Sequence, residues 1–394
     1  MMAAAPMIHQ IRIRRLADAG RVDRGVEISP EVTALLAAGS PVAVGVSGGK
    51  DSCAAAIATM RHLDQVGHVG PRLLVHADLG RVEWKDSLPT CERLAARLGV
   101  ELVVVRRAAG DMMDRWIQRW RNNKRRYADL SCVKVILPWS TPAMRFCTSE
   151  LKSAVIAAAL VKRFPGQAIV SACGIRRDED PGTKGRSCAG TSKVNKRLAR
   201  KARGTSGLDW NPIAGWLEAD VYAFLASEEF PLHEGYAHHG MTRISCIKCI
   251  MASESDLRAS STCADNHAVT REMVELEADS TFGFQGARWL GDLDDAILDD
   301  DLRGRVADAK ARAARRQEIE ARIPRHLLYT KGWPTVMPTR AEAELLAGVR
   351  VEIGALLRIP VKYVTPDDVL ARYAELMALA RAKDAARDKK KRRK

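Results

Sequence analysis

Between residues 41 and 173, short β-branched runs alternate with longer stretches of helical spacing. The runs "PVAVGV" (41–46), "RLLVHA" (72–77), "VELVVV" (100–105) and "QAIVSA" (167–172) are almost continuously apolar, the pattern of strands buried on both faces. Between them, "CAAAIATMRHLDQV" (53–66), "WKDSLPTCERLAARLG" (84–99) and "SELKSAVIAAALVKRF" (149–164) repeat apolar residues three and four apart, as helices do. This alternation predicts an α/β fold, a parallel twisted sheet flanked by helices, whose ligand site lies at the carboxyl ends of the strands. Residues 178–207 are poor in apolar positions and read as a loop. A helix is expected over 217–230, then an irregular segment to Cys249, then mainly helical patterns over 254–277, 294–323, 339–357 and 365–388. The expected organisation is an N-terminal extension (1–40), an α/β domain (41–255), a helical C-terminal region (256–386) and a basic tail (387–394).

With 394 residues, 46% of them hydrophobic, the chain can build a substantial core. No apolar run approaches the roughly 20 residues that span a bilayer, and the N-terminus lacks a signal-peptide pattern. A soluble cytoplasmic protein without membrane partners is expected. Nine scattered cysteines without a secretory signature argue against a disulfide framework. The net charge of +15 is clustered. Residues 184–203 carry eight Lys or Arg and no acid, and 115–126 carry six with two tryptophans interleaved. Such clusters attract polyanions by counterion release, and tryptophans can stack on bases, so nucleic acid is the expected partner. The alternative is a solvated basic face.

Ser47-Gly48-Gly49-Lys50-Asp51-Ser52 follows the first strand and opens the first helix of the domain. Glycines let successive N–H groups converge on one anion, and the helix N-terminus adds partial positive charge. A Walker A loop is excluded because Asp51, not Ser or Thr, follows Lys50; the Gly-x-Gly-x-x-Gly dinucleotide fingerprint is absent. The segment instead resembles the PP-loop of the ATP pyrophosphatase and phosphoadenosine phosphosulfate (PAPS) reductase superfamily. Further segments resemble its PAPS reductase-like branch: "HADLG" (76–80), "RFCTSELK" (145–152), "GIRRDED" (174–180), "NPIAGWLEADVYAFL" (211–225) and "YAHHGMTRISCIKC" (236–249). Asp180 departs from the branch pattern, which has Ser there.

The resemblance implies a PP-loop/HUP-like nucleotide-binding fold, and an enzyme that binds ATP with Mg²⁺, releases pyrophosphate and activates a substrate by adenylation. Ser47, Gly48, Gly49, Lys50, Asp51 and Ser52 would hold phosphate, with Asp51 also reaching the metal. His76, Asp78 and Gly174 would border the nucleoside. Lys50, Asp51, Arg145, Lys152, Arg176 and Arg243 would act at the reacting phosphates or on a second anion. The true reductases use a C-terminal nucleophilic cysteine, and no cysteine follows Cys263 in this sequence, so sulfate reduction is not the expected reaction.

Cys246-x-x-Cys249, with Cys147, suits a metal centre, because thiolates two residues apart can meet one ion. The expected occupant is a 4Fe–4S cluster held by these three cysteines, which leaves one iron open to hold a sulfide, or gains a fourth ligand from Cys132 or Cys263. The alternatives are zinc completed by His238 or His239, or plain thiols. Sulfur transfer to nucleic acid, fed by a sulfur-donor protein, is the leading expectation. A nucleotide-responsive nucleic-acid-binding protein without turnover and an authentic adenosine phosphosulfate or PAPS reductase are the alternatives.

Overall fold

A computed structural model describes residues 4–179 and 191–392. The chain forms two compact units, one built from 1–113 and 140–270, the other from 114–139 and 271–394. The first holds a six-stranded sheet in the order β3-β2-β1-β4-β6-β5, with β1 Val42–Val46, β2 Arg72–Asp78, β3 Glu101–Arg106, β4 Ala168–Cys173, β5 Ser192–Val194 and β6 Ser206–Trp210. The first five positions in that order are parallel, and β5 closes the edge antiparallel to β6. The α/β expectation therefore holds. The order reverses direction between β1 and β4, the switch point at which such sheets bind ligands.

Alternation along β1 assigns its two faces. Val42, Val44 and Val46 join a core with α3 (Lys50–Gln65) and α4 (Ser87–Leu98), through Ile57, Leu63 and Leu94. Ala43 on the other face meets Leu160 and Val161 of the helix Ala154–Arg163, which is preceded by a π-helical turn over Ser149–Ser153. The helix Glu218–Ser227 adds Val221 and Phe224 to the first face.

Two strands arise inside the segment read as a loop. Residues 180–190 of that segment lie outside the described residues, but Ser192–Val194 and Ser206–Trp210 pair with the sheet. β6 lacks an apolar run because Gly207 passes close to its neighbours: a Cβ there would lie 2.5 Å from Leu198 Cδ1 and 2.6 Å from Ile169 O. Residues 4–40 are also ordered into this unit, with helices α1 (Ala4–Ala19) and α2 (Pro30–Ala37). Their connecting segment accepts two indole N–H bonds, Trp210 Nε1 to Glu27 O at 2.7 Å and Trp216 Nε1 to Gly25 O at 3.1 Å.

The second unit is helical, with Asp300–Ala321, Arg340–Leu357 and Pro366–Arg392 as its long members. The basic stretch 115–126 lies on the helix Met112–Ala128. Trp116 and Trp120 recur at i, i+4 and so share one face, and that face is buried at 2% and 4% exposure. Trp116 meets Trp139 and Phe284 edge-on. The expected base-stacking role for these tryptophans is thereby corrected: their rings are core. Buried Arg350 is satisfied by four carbonyls, those of Tyr127, Ala128, Lys362 and Tyr363. Among the described residues no helix is long and apolar enough to cross a membrane.

Glu277 is fully buried and gathers the following turn, accepting from the amides of Phe284 (2.7 Å), Leu290 (2.9 Å) and Gly291 (3.2 Å). Glu277→Ala leaves three buried donors without their acceptor, so it is expected to cost about 3 kcal/mol or more. Denaturant-induced unfolding of wild type and variant checks this.

Candidate nucleotide-binding active site

The loop after β1 is shaped by its glycines. Gly48 sits at φ +76°, and a Cβ there would lie 3.0 Å from Ser87 O. Gly49 is the N-cap of α3 and offers no side chain to cap it. The partial positive charge of the helix end is thus available to an outside acceptor, with only the Lys50 amide already engaged, by the Tyr236 hydroxyl. Ser52 Oγ donates to Gly49 O (2.8 Å) and accepts from Ser47 N (3.2 Å), which fixes the curl of the loop. The Tyr236 hydroxyl accepts from the amides of Ile244 (3.0 Å) and Lys50 (3.4 Å), tying the 236–249 segment to the same turn.

Lys50 is only 3% exposed and donates to Thr242 O at 3.2 Å. Its ammonium lies 3.3 Å from Asp51 and 3.4 Å from Glu218. It also lies 5.7 Å from the Tyr222 ring centre and 5.3 Å from that of Tyr236. Burial opposes the charge, yet Asp51, Tyr222 and Glu218 hold its pKa above the ordinary lysine value. Asp51 in turn pairs with buried Arg176 at 2.6 Å, and Arg176 pairs with Asp178. Asp178 accepts from Glu218 N at 3.1 Å, which closes the circuit. A pocket of about 290 Å³ opens onto this network, lined by Lys50, Asp51, Arg176, Asp178, Glu218 and Thr242, with Arg12 and Arg243 at exposed positions.

The structure thus brings Lys50, Asp51, Arg176 and Arg243 to one pocket. Gly174 is required behind it: a Cβ would lie 2.4 Å from Asp51 O, so the chain leaving β4 touches the first turn of α3. His76 and Asp78 do not line the pocket. His76 Nδ1 lies 3.0 Å from Val46 O and Nε2 3.4 Å from Glu83, bracing the end of β1. Asp78 accepts from Arg106 and from Gly80 N, both at 2.6 Å. Burial lowers the His76 pKa, but hydrogen bonds to Cys91 and Glu83 outweigh it and raise it to about 10.

Arg145 is exposed and lines a separate crevice of about 580 Å³. Its apolar floor includes Gly45, Val75 and Ala172, and its rim carries Lys193, Lys196 and Arg197 from the 184–203 cluster. Residues 184–190 of that cluster lie outside the described residues. Cys173 and Ile175 border this crevice and Arg176 borders the Lys50 pocket, so the turn after β4 edges both.

Cys147, Cys246 and Cys249 are half-buried and in no disulfide. Burial pushes the Cys246 thiol up to about 12, with the Lys152 charge acting the other way. No three His, Cys, Asp or Glu side chains converge as a metal centre among the described residues, so the side chains do not form a ready cage for the expected cluster. His239 bonds Thr262 Oγ1 at 2.8 Å and lies against Trp84. Cys132 is buried in the second unit, and Cys263 is buried in the first.

Sequence reasoning missed Arg12, Asp178, Glu218, Tyr222 and Tyr236. Four of these five fall inside segments singled out by the resemblance, but their roles as counter-charges and ring walls depend on non-local packing. Arg12 lies on the N-terminal helix and carried no signal.

A mostly parallel sheet with a glycine-rich turn at its switch point is the fold of the PP-loop class. Residues 41–252, more than half of the chain, match the phosphoadenosine phosphosulfate reductase domain, and the protein belongs to that family, within the PP-loop ATP pyrophosphatase superfamily. No curated protein matches the chain.

Two tests follow from this geometry. Gly174→Ala drives a methyl into the Asp51 carbonyl, so it is expected to cost about 1–3 kcal/mol of stability, measurable by denaturant-induced unfolding. His76 gains its proton affinity on folding. Its contribution to stability is full below about pH 6.5 and is lost as pH rises through about 10. Unfolding midpoints measured across that window should fall in wild type and flatten in His76→Gln.

Proposed function

We propose that the protein binds ATP at the Ser47–Ser52 turn, releases pyrophosphate and adenylates an oxygen of its substrate, in preparation for sulfur transfer to nucleic acid. The observation that carries this reading is the buried Lys50–Asp51–Arg176 network beside an uncapped helix N-terminus. An incoming polyphosphate replaces carboxylates as the partner of Lys50 and Arg176, so both cations are already positioned and desolvated before the ligand arrives. The freed carboxylate of Asp51 would then be an oxygen donor of the kind Mg²⁺ prefers. Bound Mg²⁺ would offset charge on the phosphates. The acceptor oxygen attacks the α-phosphorus, the bond to the bridging oxygen breaks, and pyrophosphate leaves with Lys50 and Arg176 stabilising its charge. Arg243 and Arg12 supply further positive charge at the mouth of the pocket. The crevice at Arg145 offers an apolar floor of a size suited to a nucleoside.

Cys147, Cys246 and Cys249 are the proposed sulfur-handling thiols, and Lys152 is their nearby cation. No step here runs through a cluster. Iron and sulfide analysis after anaerobic purification separates a cluster from plain thiols.

Incubation with ATP, Mg²⁺ and bulk nucleic acid should release pyrophosphate, and Lys50→Ala combined with Asp51→Ala should abolish that release. Undiminished release by the double variant overturns the assignment of the loop. Nucleotide binding without any release favours a sensor that does not turn over. Sulfite formed from an adenosine phosphosulfate together with a thiol reductant would identify an authentic reductase.

A further inference from the structure

The second unit carries a groove of about 540 Å³ that the nucleotide chemistry does not use. One wall is a face of the helix Met112–Ala128, presenting Gln118, Arg121, Asn122, Lys124 and Arg125. The other is Arg358, Ile359 and Pro360, just past the helix Arg340–Leu357. Four cations and two carboxamides line it, and no carboxylate does.

Pairing distinguishes this groove from a solvated basic face. Arg271, Arg303, Arg305, Arg312, Arg315 and Arg322 of the same unit each hold a carboxylate. Among the described residues, none of Arg121, Lys124, Arg125 and Arg358 does. Four cations without an ion pair around one concavity repel one another and focus a positive potential, which a polyanion relieves.

The core fixes which side chains face the groove. Trp116, Trp120, Asn123 and Tyr127 occupy the buried side of the helix, and Asn123 Nδ2 donates to Ile136 O at 3.0 Å. Arg121 and Arg125 are therefore held about one turn apart on the open side, roughly 6 Å along the axis. Lys124 lies 5.6 Å from the Trp120 ring centre, which restrains its stem. Arg358 ends its helix at φ +53°, a position that favours glycine, so the chain bears a backbone cost there while presenting a guanidinium to the groove.

We propose that this groove is a track for the phosphodiester backbone of single-stranded nucleic acid. Arg121, Lys124, Arg125 and Arg358 contact phosphates, and Gln118 and Asn122 supply hydrogen bonds. The groove is open to solvent and of a volume that seats the backbone of one strand, whose charge its four cations complement. The proposal rests on the nucleic-acid reading of the function, but its test is separate from the ATP chemistry.

The full chain is titrated into fluorescently labelled oligothymidylate and oligouridylate at several salt concentrations, with anisotropy as the readout. Wild type should bind with a steep salt dependence. The triple variant Arg121→Gln, Arg125→Gln, Arg358→Gln should bind at least about tenfold more weakly, with the log–log salt slope reduced by about 2. ATP affinity should stay at the wild-type value. If the triple variant fails to fold by circular dichroism, Lys124→Gln alone should reduce the slope by about 0.7. An unchanged slope in a folded variant overturns the proposal. So does duplex or polyglutamate binding as tight as that of the single strand, or no nucleic-acid binding by wild type. If strands bind through the groove but ATP yields no pyrophosphate, the groove stands and the adenylation reading falls.

Discussion

A lysine ammonium almost completely removed from water needs compensation, and the way Lys50 obtains it organises the whole site. Burial of an isolated charge in a low-dielectric interior is prohibitive unless it is paired and hydrogen-bonded. Lys50 draws on Asp51 beside it, Glu218 from a later helix and the Thr242 carbonyl from the segment before the Cys-x-x-Cys pair. Asp51 then holds Arg176 from the end of β4. One buried charge thereby sets the relative positions of four chain segments, all converging where the sheet order reverses. The same arrangement keeps the cations solvent-poor, the condition under which they act most strongly on a phosphate.

The backbone reinforces what the charges arrange. Gly48 and Gly174 are places where any side chain would strike main-chain atoms. The loop after β1 and the turn after β4 are in contact through peptide groups, so rearrangement of one is felt by the other. His76 adds a third restraint from β2 by approaching the last carbonyl of β1. The histidine placed by resemblance beside the nucleoside is thus a brace beneath the loop, and Asp78 is occupied by Arg106.

Legibility in the sequence followed the range of the interactions. The four apolar strands and the phosphate turn are local patterns, and both appear in the structure where the pattern placed them. β6 was invisible because its Gly207 and Asp209 break the apolar run, and only the neighbouring strand makes it a strand. The tryptophans at 116 and 120 looked like a stacking surface because their charged neighbours are conspicuous in the sequence. Their four-residue spacing carried the opposite message, a single inward face. Of the carboxylates that balance Lys50 and Arg176, Glu218 was illegible for a different reason. Glu218 is 168 residues from Lys50 in the sequence, and nothing in its immediate surroundings announces a partner that distant.

The indole bonds from Trp210 and Trp216 to carbonyls of Glu27 and Gly25 bear on where the domain begins. The family match starts at residue 41, yet both acceptors lie before it. Excised at that boundary, the matched segment would lose the acceptors of two buried indole donors and the cation at position 12. Residues 4–40 belong to the same compact unit as the matched segment, so the packed unit is larger than its recognisable ancestry.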